Sequence, residues 1–141
     1  MLKKYQPVIL FWFCLLVLAL INATIRETTY KPLLEPYIGF WAHQLSSLSG
    51  IALFFVAIYL FLRRQRRNYT AKELWTMGSI WAGMTFIFEL LMNLGLRHLA
   101  WSEIIRTYYF WQGETWIFVL LALLVSPIVA HRLQNKQSII K

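Results

Sequence analysis

The sequence predicts an all-α fold: a four-helix transmembrane bundle with a short interfacial helix between the third and fourth spans. Three observations carry that prediction. The 141-residue chain is 59% hydrophobic and only 14% charged, where a soluble domain averages about a quarter charged residues. Its apolar residues fall in four runs suited to crossing about 30 Å of hydrocarbon. Lys and Arg gather mainly at the ends of those runs. Backbone amides in lipid have no water to bond, so each run must satisfy its own hydrogen bonds as a helix. No internal repeat or low-complexity segment divides the chain, and 1–141 reads as a single transmembrane domain.

The first span, about 8–23, follows Lys3 and Lys4 and so resembles a signal peptide. Its Ile21-Asn22-Ala23 end is a poor small-x-small cleavage site, and the segment is read as a retained span. The second span covers about 37–62. Between them, Thr24 to Tyr37 contains Pro32 and Pro36 and is expected to be irregular and to lie at the headgroups. The third span covers about 74–96. After it, Trp101, Ile104, Ile105 and Tyr108 recur at helical spacing, with Ser102 as a start signal and Gly113 as a stop. That segment is the expected interfacial helix, its aromatic side chains at headgroup depth. The fourth span, about 114–129, is short and has Pro127 near its end, so its first turn is expected to draw in Gln112 to Glu114.

Ten basic residues (Lys3, Lys4, Arg63, Arg64, Arg66, Arg67, Lys72, Arg132, Lys136 and Lys141) fall on one side of this arrangement, and four (Arg26, Lys31, Arg97 and Arg106) on the other. The positive-inside rule then puts both termini in the cytoplasm. RRQRR, Arg63 to Arg67, is first of all this topology signal, and secondarily a candidate site for anionic lipid. The +8 balance does not point to nucleic acid, because the cations flank apolar runs and do not alternate with aromatics in a groove. Membrane lipids are the implied partners. The single cysteine, Cys14, lies inside the first span and cannot form an intramolecular disulfide. There is no CxxC, HExxH or Walker-type loop, and neither metal nor cofactor is expected.

Polar residues inside the spans mark where chemistry can occur. Glu89 interrupts the apolar run Phe86 to Leu96, eight residues before Arg97, or ~12 Å along a helix. It shares a face of the third span with Gly78, Ala82 and Asn93. On the second span His43 shares a face with Gly39, Ser46, Gly50 and Ala57. Small residues at such spacing let membrane helices approach closely, so both ionisable groups are expected to face other helices and not lipid. Asn22 and Arg26 end the first span on the same side, and Glu114 opens the fourth. Polar groups from all four spans are therefore expected to meet in the outer half of the bundle, over an almost wholly apolar inner half. A charge at such depth costs about 2.5 kcal/mol or more unless paired, hydrated or neutralised. Glu89 is accordingly expected to bond Arg26, His43 or Arg97. Ser46 and Ser47 lie within reach of His43 on one helix, but serines in membrane helices more often bond a carbonyl one turn back. Trp41, Trp101, Trp111 and Trp116 fit an outer aromatic belt and Trp75 an inner one, whereas Trp81 lies deeper.

These residues also carry a resemblance. N-A-T-I-R-E at Asn22 to Glu27, A-H-Q at Ala42 to Gln44 followed by Gly50, Phe88-Glu89, Arg97, W-x-x-I-x-x-x-Y-x-x-x-x-G from Trp101 to Gly113, and Pro127 form the pattern. It resembles an uncharacterised family of small bacterial integral membrane proteins with four spans. The resemblance implies a bacterial cytoplasmic membrane and the location of a site, but no activity. In that family an acid often stands where this chain has Thr107, and arginine where it has His43. Both departures speak against a catalytic or metal role for His43.

The function these readings imply is binding of a small polar or lipid-like ligand in an outer-leaflet pocket lined by Asn22, Arg26, Glu27, His43, Gln44, Glu89, Asn93 and Arg97, with Tyr108 and Trp116 as lid and rim. The alternative is an accessory or assembly subunit, whose small-residue faces meet another membrane protein or a second copy and whose polar cluster is purely structural. A membrane enzyme ranks behind both, lacking a recognisable activated nucleophile or metal-ligand set.

Overall fold

The computed structural model describes residues 2–65, 67–109 and 115–139. The side chains of a few of these, His43, Gln44 and Ser46 among them, lie outside the described set. The described residues form α1 (Leu2–Ile25), a π-helical turn (Arg26–Tyr30), α2 (Lys31–Ile38), α3 (Phe40–Gln65), α4 (Ala71–Gly95), α5 (Trp101–Arg106) and α6 (Trp116–Ile139). The fold is all-helical, and α1, α3, α4 and α6 are each long and apolar enough to cross a membrane. At 1.5 Å per residue, the 24 to 26 residues of each give roughly 36–39 Å, hydrocarbon plus part of the headgroup layer.

Apolar side chains occur on both sides of these helices. On α1, Val8, Trp12 and Leu15 are buried at helical spacing, while Leu10, Phe13, Val17 and Leu20 are exposed. A helix with apolar residues on both its inner and outer faces would be intolerable at a water surface and is ordinary in lipid. The chain is therefore an integral membrane protein. Cys14, also exposed, belongs to the same lipid-facing side.

α6 packs between α3 and α4, and α1 leans on the other side of the same two helices. Lipid tails are as apolar as leucine, so close packing and hydrogen bonds must hold the helices together. Gly78 supplies one such contact: a side chain there would overlap the backbone of Leu124 on α6. Gly50 supplies another, since a Cβ would lie 3.3 Å from Asn22 Nδ2 on α1. Trp81, the most buried large side chain, donates its indole N–H to the Val8 carbonyl at 2.8 Å. Its ring meets Phe11 and Phe61, which stack at 4.3 Å, so one aromatic group joins α1, α3 and α4. Trp12 adds a second bridge, from its Nε1 to Thr85 Oγ1 at 3.0 Å.

Three expectations are corrected. The segment from Thr24 to Tyr37 is helical, not irregular. The wider π-turn interrupts the regular i to i−4 ladder just before Pro32, where a proline ring and a missing N–H do least harm. α2 then ends at Gly39, whose φ of +47° suits glycine and whose N–H bonds the Glu35 carbonyl at 2.9 Å. Second, the fourth helix runs past the expected end near 129: α6 begins at Trp116, continues through Pro127 and ends at Ile139. The proline removes one backbone donor, and Ser126 bonds the neighbouring Ala122 carbonyl with its hydroxyl at 2.5 Å. The expected first turn at Gln112 to Glu114 lies outside the described residues. Third, the interfacial helix is only Trp101–Arg106. It starts one residue before Ser102, where the Glu103 carboxylate accepts the Ala100 N–H at 2.9 Å. The expected stop at Gly113 is outside the described residues.

Candidate functional site

Two polar regions lie at opposite ends of the bundle. The end that gathers the N-terminus of α1, the α3–α4 connection and the C-terminus of α6 is the basic end, and the other is the distal end.

At the distal end the site grows from α4. Glu89 stands six residues before Gly95, ~9 Å inside the helix end. Its half-buried carboxylate accepts a hydrogen bond from the Tyr108 hydroxyl at 2.9 Å. Tyr108 is brought there by α5, whose Ile104 is buried as an anchor and whose last turn is held by the Thr107 hydroxyl on the Ile104 carbonyl at 2.7 Å. Phe86, one turn before Glu89, packs on the Tyr108 ring at 6.0 Å. Burial first, then the bond to Glu89 and its charge, push the Tyr108 phenol above its ordinary range. Asn93, one turn beyond Glu89 and buried, presents its side chain to the same carboxylate, and Arg97 acts on it through space. The Trp116 indole, at the start of α6, also faces Glu89. Its Nε1 is nevertheless out of hydrogen-bond geometry, and it is buried without a partner among the described residues. An unmet buried donor beside an acid is the feature most open to a ligand.

Those of the remaining expected residues whose side chains are described make contacts elsewhere. Of the three partners expected for Glu89, Arg97 contributes only through space. Arg26 pairs instead with its neighbour Glu27, Nη2 to Oε1 at 2.9 Å, on the π-turn. The His43 and Gln44 side chains lie outside the described residues. Asn22 is engaged between α1 and α3, its Oδ1 accepting from Ser49 at 3.4 Å beside Gly50. Ser47 and Thr115 are hydrogen-bonded to each other and tie α3 to the start of α6. The distal polar residues thus form separate contacts, α1 with α3, α3 with α6, and α4 with α5 and α6. Among the described residues, Glu89, Asn93, Arg97, Tyr108 and Trp116 share a single centre.

The basic end holds a group that the sequence reading does not single out. Glu73, in the first turn of α4, is buried and has four donors around it. Lys4 of α1 pairs with Oε1 at 2.5 Å and Arg67 of the α3–α4 connection at 3.2 Å, while the Thr70 N–H and hydroxyl bond Oε2 at 2.8 and 3.1 Å. Thr70 in return accepts the Glu73 N–H at 3.3 Å, which completes a capping box. The Tyr69 N–H bonds His131 Nε2 at 3.4 Å, and Gln134 donates to the Tyr59 carbonyl at 2.8 Å, so α6 is fastened to the same corner. The T-x-x-E spacing ahead of an apolar run was the available signal.

No protein-family model, no curated protein and no solved structure matches this chain.

Proposed function

We propose that this membrane protein binds a small polar or lipid-like ligand from the outer leaflet, at the centre formed by Glu89, Asn93, Tyr108 and Trp116. The buried, unpartnered Trp116 N–H beside the Glu89 carboxylate carries this reading. A ligand oxygen there would give the indole its missing acceptor, and a ligand hydroxyl or amine could donate to Glu89. Arg97, exposed at the end of α4, would hold an anionic group, while Arg26 is already paired with Glu27. The basic end, by its Lys and Arg content, faces the cytoplasm, which puts the site on the outer side of what the resemblance suggests is a bacterial cytoplasmic membrane.

Native mass spectrometry of the gently solubilised protein tests this directly. The reading expects a retained non-protein mass that is depleted in the Glu89→Gln and Trp116→Phe variants. Equal occupancy in all three, or no retained mass in wild type, overturns it. A second reading, an accessory or assembly subunit with a structural polar network, is favoured by one observation: Tyr108 already satisfies Glu89 from within the chain. That reading expects a stoichiometric protein partner or a second copy in the same spectra.

A further inference from the structure

Charge is divided very unequally between the two ends of the bundle. Counted along the sequence, ten cations and one acid, Glu73, fall in the segments of the basic side, and four cations and the other five acids (Glu27, Glu35, Glu89, Glu103 and Glu114) in those of the distal side. The formal balance is therefore +9 against −1, which accounts for the whole +8. Topology alone asks only for an excess of cations on one side. The further question is what neutralises them.

Glu73 cannot do so. Its two oxygens are occupied by Lys4, Arg67 and Thr70, and it is buried at the α1–α4 contact. Arg63 and Arg64 at the end of α3, Lys72 at the start of α4, and Arg132 and Lys136 near the end of α6 are all exposed, and none has an ion-pair partner among the described residues. Two of these placements oppose local electrostatics. Lys72 sits in the first turn of α4, where the helix itself presents partial positive charge. Arg132 and Lys136 are four residues apart on one face of α6, a like-charged pair that repels. Gln134 on Tyr59 and His131 on Tyr69 hold that part of α6 against the end of α3 and the α3–α4 connection, so the five cations border one corner of the molecule.

We propose that this corner is a binding site for anionic phospholipid headgroups, whose phosphates sit between the end of α6 and the α3–α4 connection. The chemistry required is a phosphate held beside an apolar wall. Long exposed cations supply the first, and the lipid-facing sides of α3 and α6, with Leu60 and Leu133 exposed, supply the second. A free phosphate would meet the same cations without the wall.

The test uses full-length protein in a neutral detergent and native mass spectrometry. Phosphatidylglycerol, cardiolipin, phosphatidylcholine and inorganic phosphate are titrated separately against wild type, an Arg132→Gln/Lys136→Gln variant and Lys72→Gln. Eight or nine cations then remain at this end against four at the other, so orientation is kept. The proposal expects the two anionic lipids to form more adducts than phosphatidylcholine. Their affinity should fall about fivefold for each cation removed, and the preference should fade as salt rises. Equal retention of anionic and zwitterionic lipid overturns it, as does unchanged anionic-lipid affinity in both variants. Inorganic phosphate displacing the lipids at matched concentration also overturns it, assigning the corner to a soluble anion.

Discussion

Replacing Tyr108 by phenylalanine removes one oxygen and leaves the ring where it packs on Phe86 at 6.0 Å. The lost interaction is a 2.9 Å hydrogen bond to the Glu89 carboxylate. Bonds to charged groups contribute about 1.5–3 kcal/mol net in soluble proteins. Side-chain bonds between membrane helices average nearer ~0.6 kcal/mol, with ~1.7 as an upper value, because the unfolded chain in a membrane also finds partners. Tyr108 is half-buried beyond the end of α4, and its acceptor is an acid with few alternatives, so a loss of about 1–2 kcal/mol follows. The assay is reversible unfolding in mixed micelles, followed by tryptophan fluorescence. A double-mutant cycle with Glu89→Gln isolates the bond, and the combined variant should be about 1 kcal/mol less damaged than the two single losses added. The pH dependence gives an independent check. The folded protein keeps the phenol protonated at pH values where the unfolded chain, titrating near pH ~10, releases it. Stability from this source is complete below about pH 10 and is lost as pH rises further. The phenylalanine variant should therefore have a flatter alkaline limb. Additive single losses, or an unchanged alkaline limb, would refute the reasoning.

Other substitutions test the frame that positions the site. Gly78→Val should destabilise by about 1–3 kcal/mol in the same assay, because the added carbons meet the Leu124 backbone, which cannot rotate away. Thr70→Ala should cost about 1 kcal/mol through loss of the α4 cap. Trp81→Phe removes the donor to the Val8 carbonyl and part of the fully buried ring, for an expected loss of about 2–4 kcal/mol. Glu73→Gln should release the start of α1 from α4, seen as faster amide hydrogen exchange in the turn around Lys4 with the rest of α1 unchanged.

Much of this fold is legible in the chain because lipid simplifies the problem: an apolar run must be a helix, and small residues must mark close approaches. Of the glycines chosen for their spacing, Gly78 and Gly50 lie at helix contacts, whereas Gly39 and the flanking Gly83 have open space around them. Asn93 is buried on the same face as Gly78, and Glu89 turns toward α5 and α6. Prolines were less informative. Pro32 and Pro36 read as breaks and Pro127 as near the end of its span, yet all three lie within helices, Pro32 just after the π-turn, and α6 simply continues through Pro127. Partner choice was hidden too. Glu89 is met by Tyr108, nineteen positions along, and Arg26 turns to its immediate neighbour. Spacing on one helix says which face a side chain occupies but not which residue of another segment arrives there. The Glu73 corner was overlooked because its acid sits at the end of a span among many cations, where a single glutamate changes the hydropathy pattern little.

The distal centre itself is tested most directly by the indole resonance of Trp116 in 15N-tryptophan-labelled protein held in lipid nanodiscs. A shared, enclosed site predicts an Nε1–H that exchanges with water far more slowly than that of exposed Trp101 and shifts on Glu89→Gln but not on Glu27→Gln. A Trp116 resonance exchanging as fast as that of Trp101, or indifferent to Glu89→Gln, would contradict it.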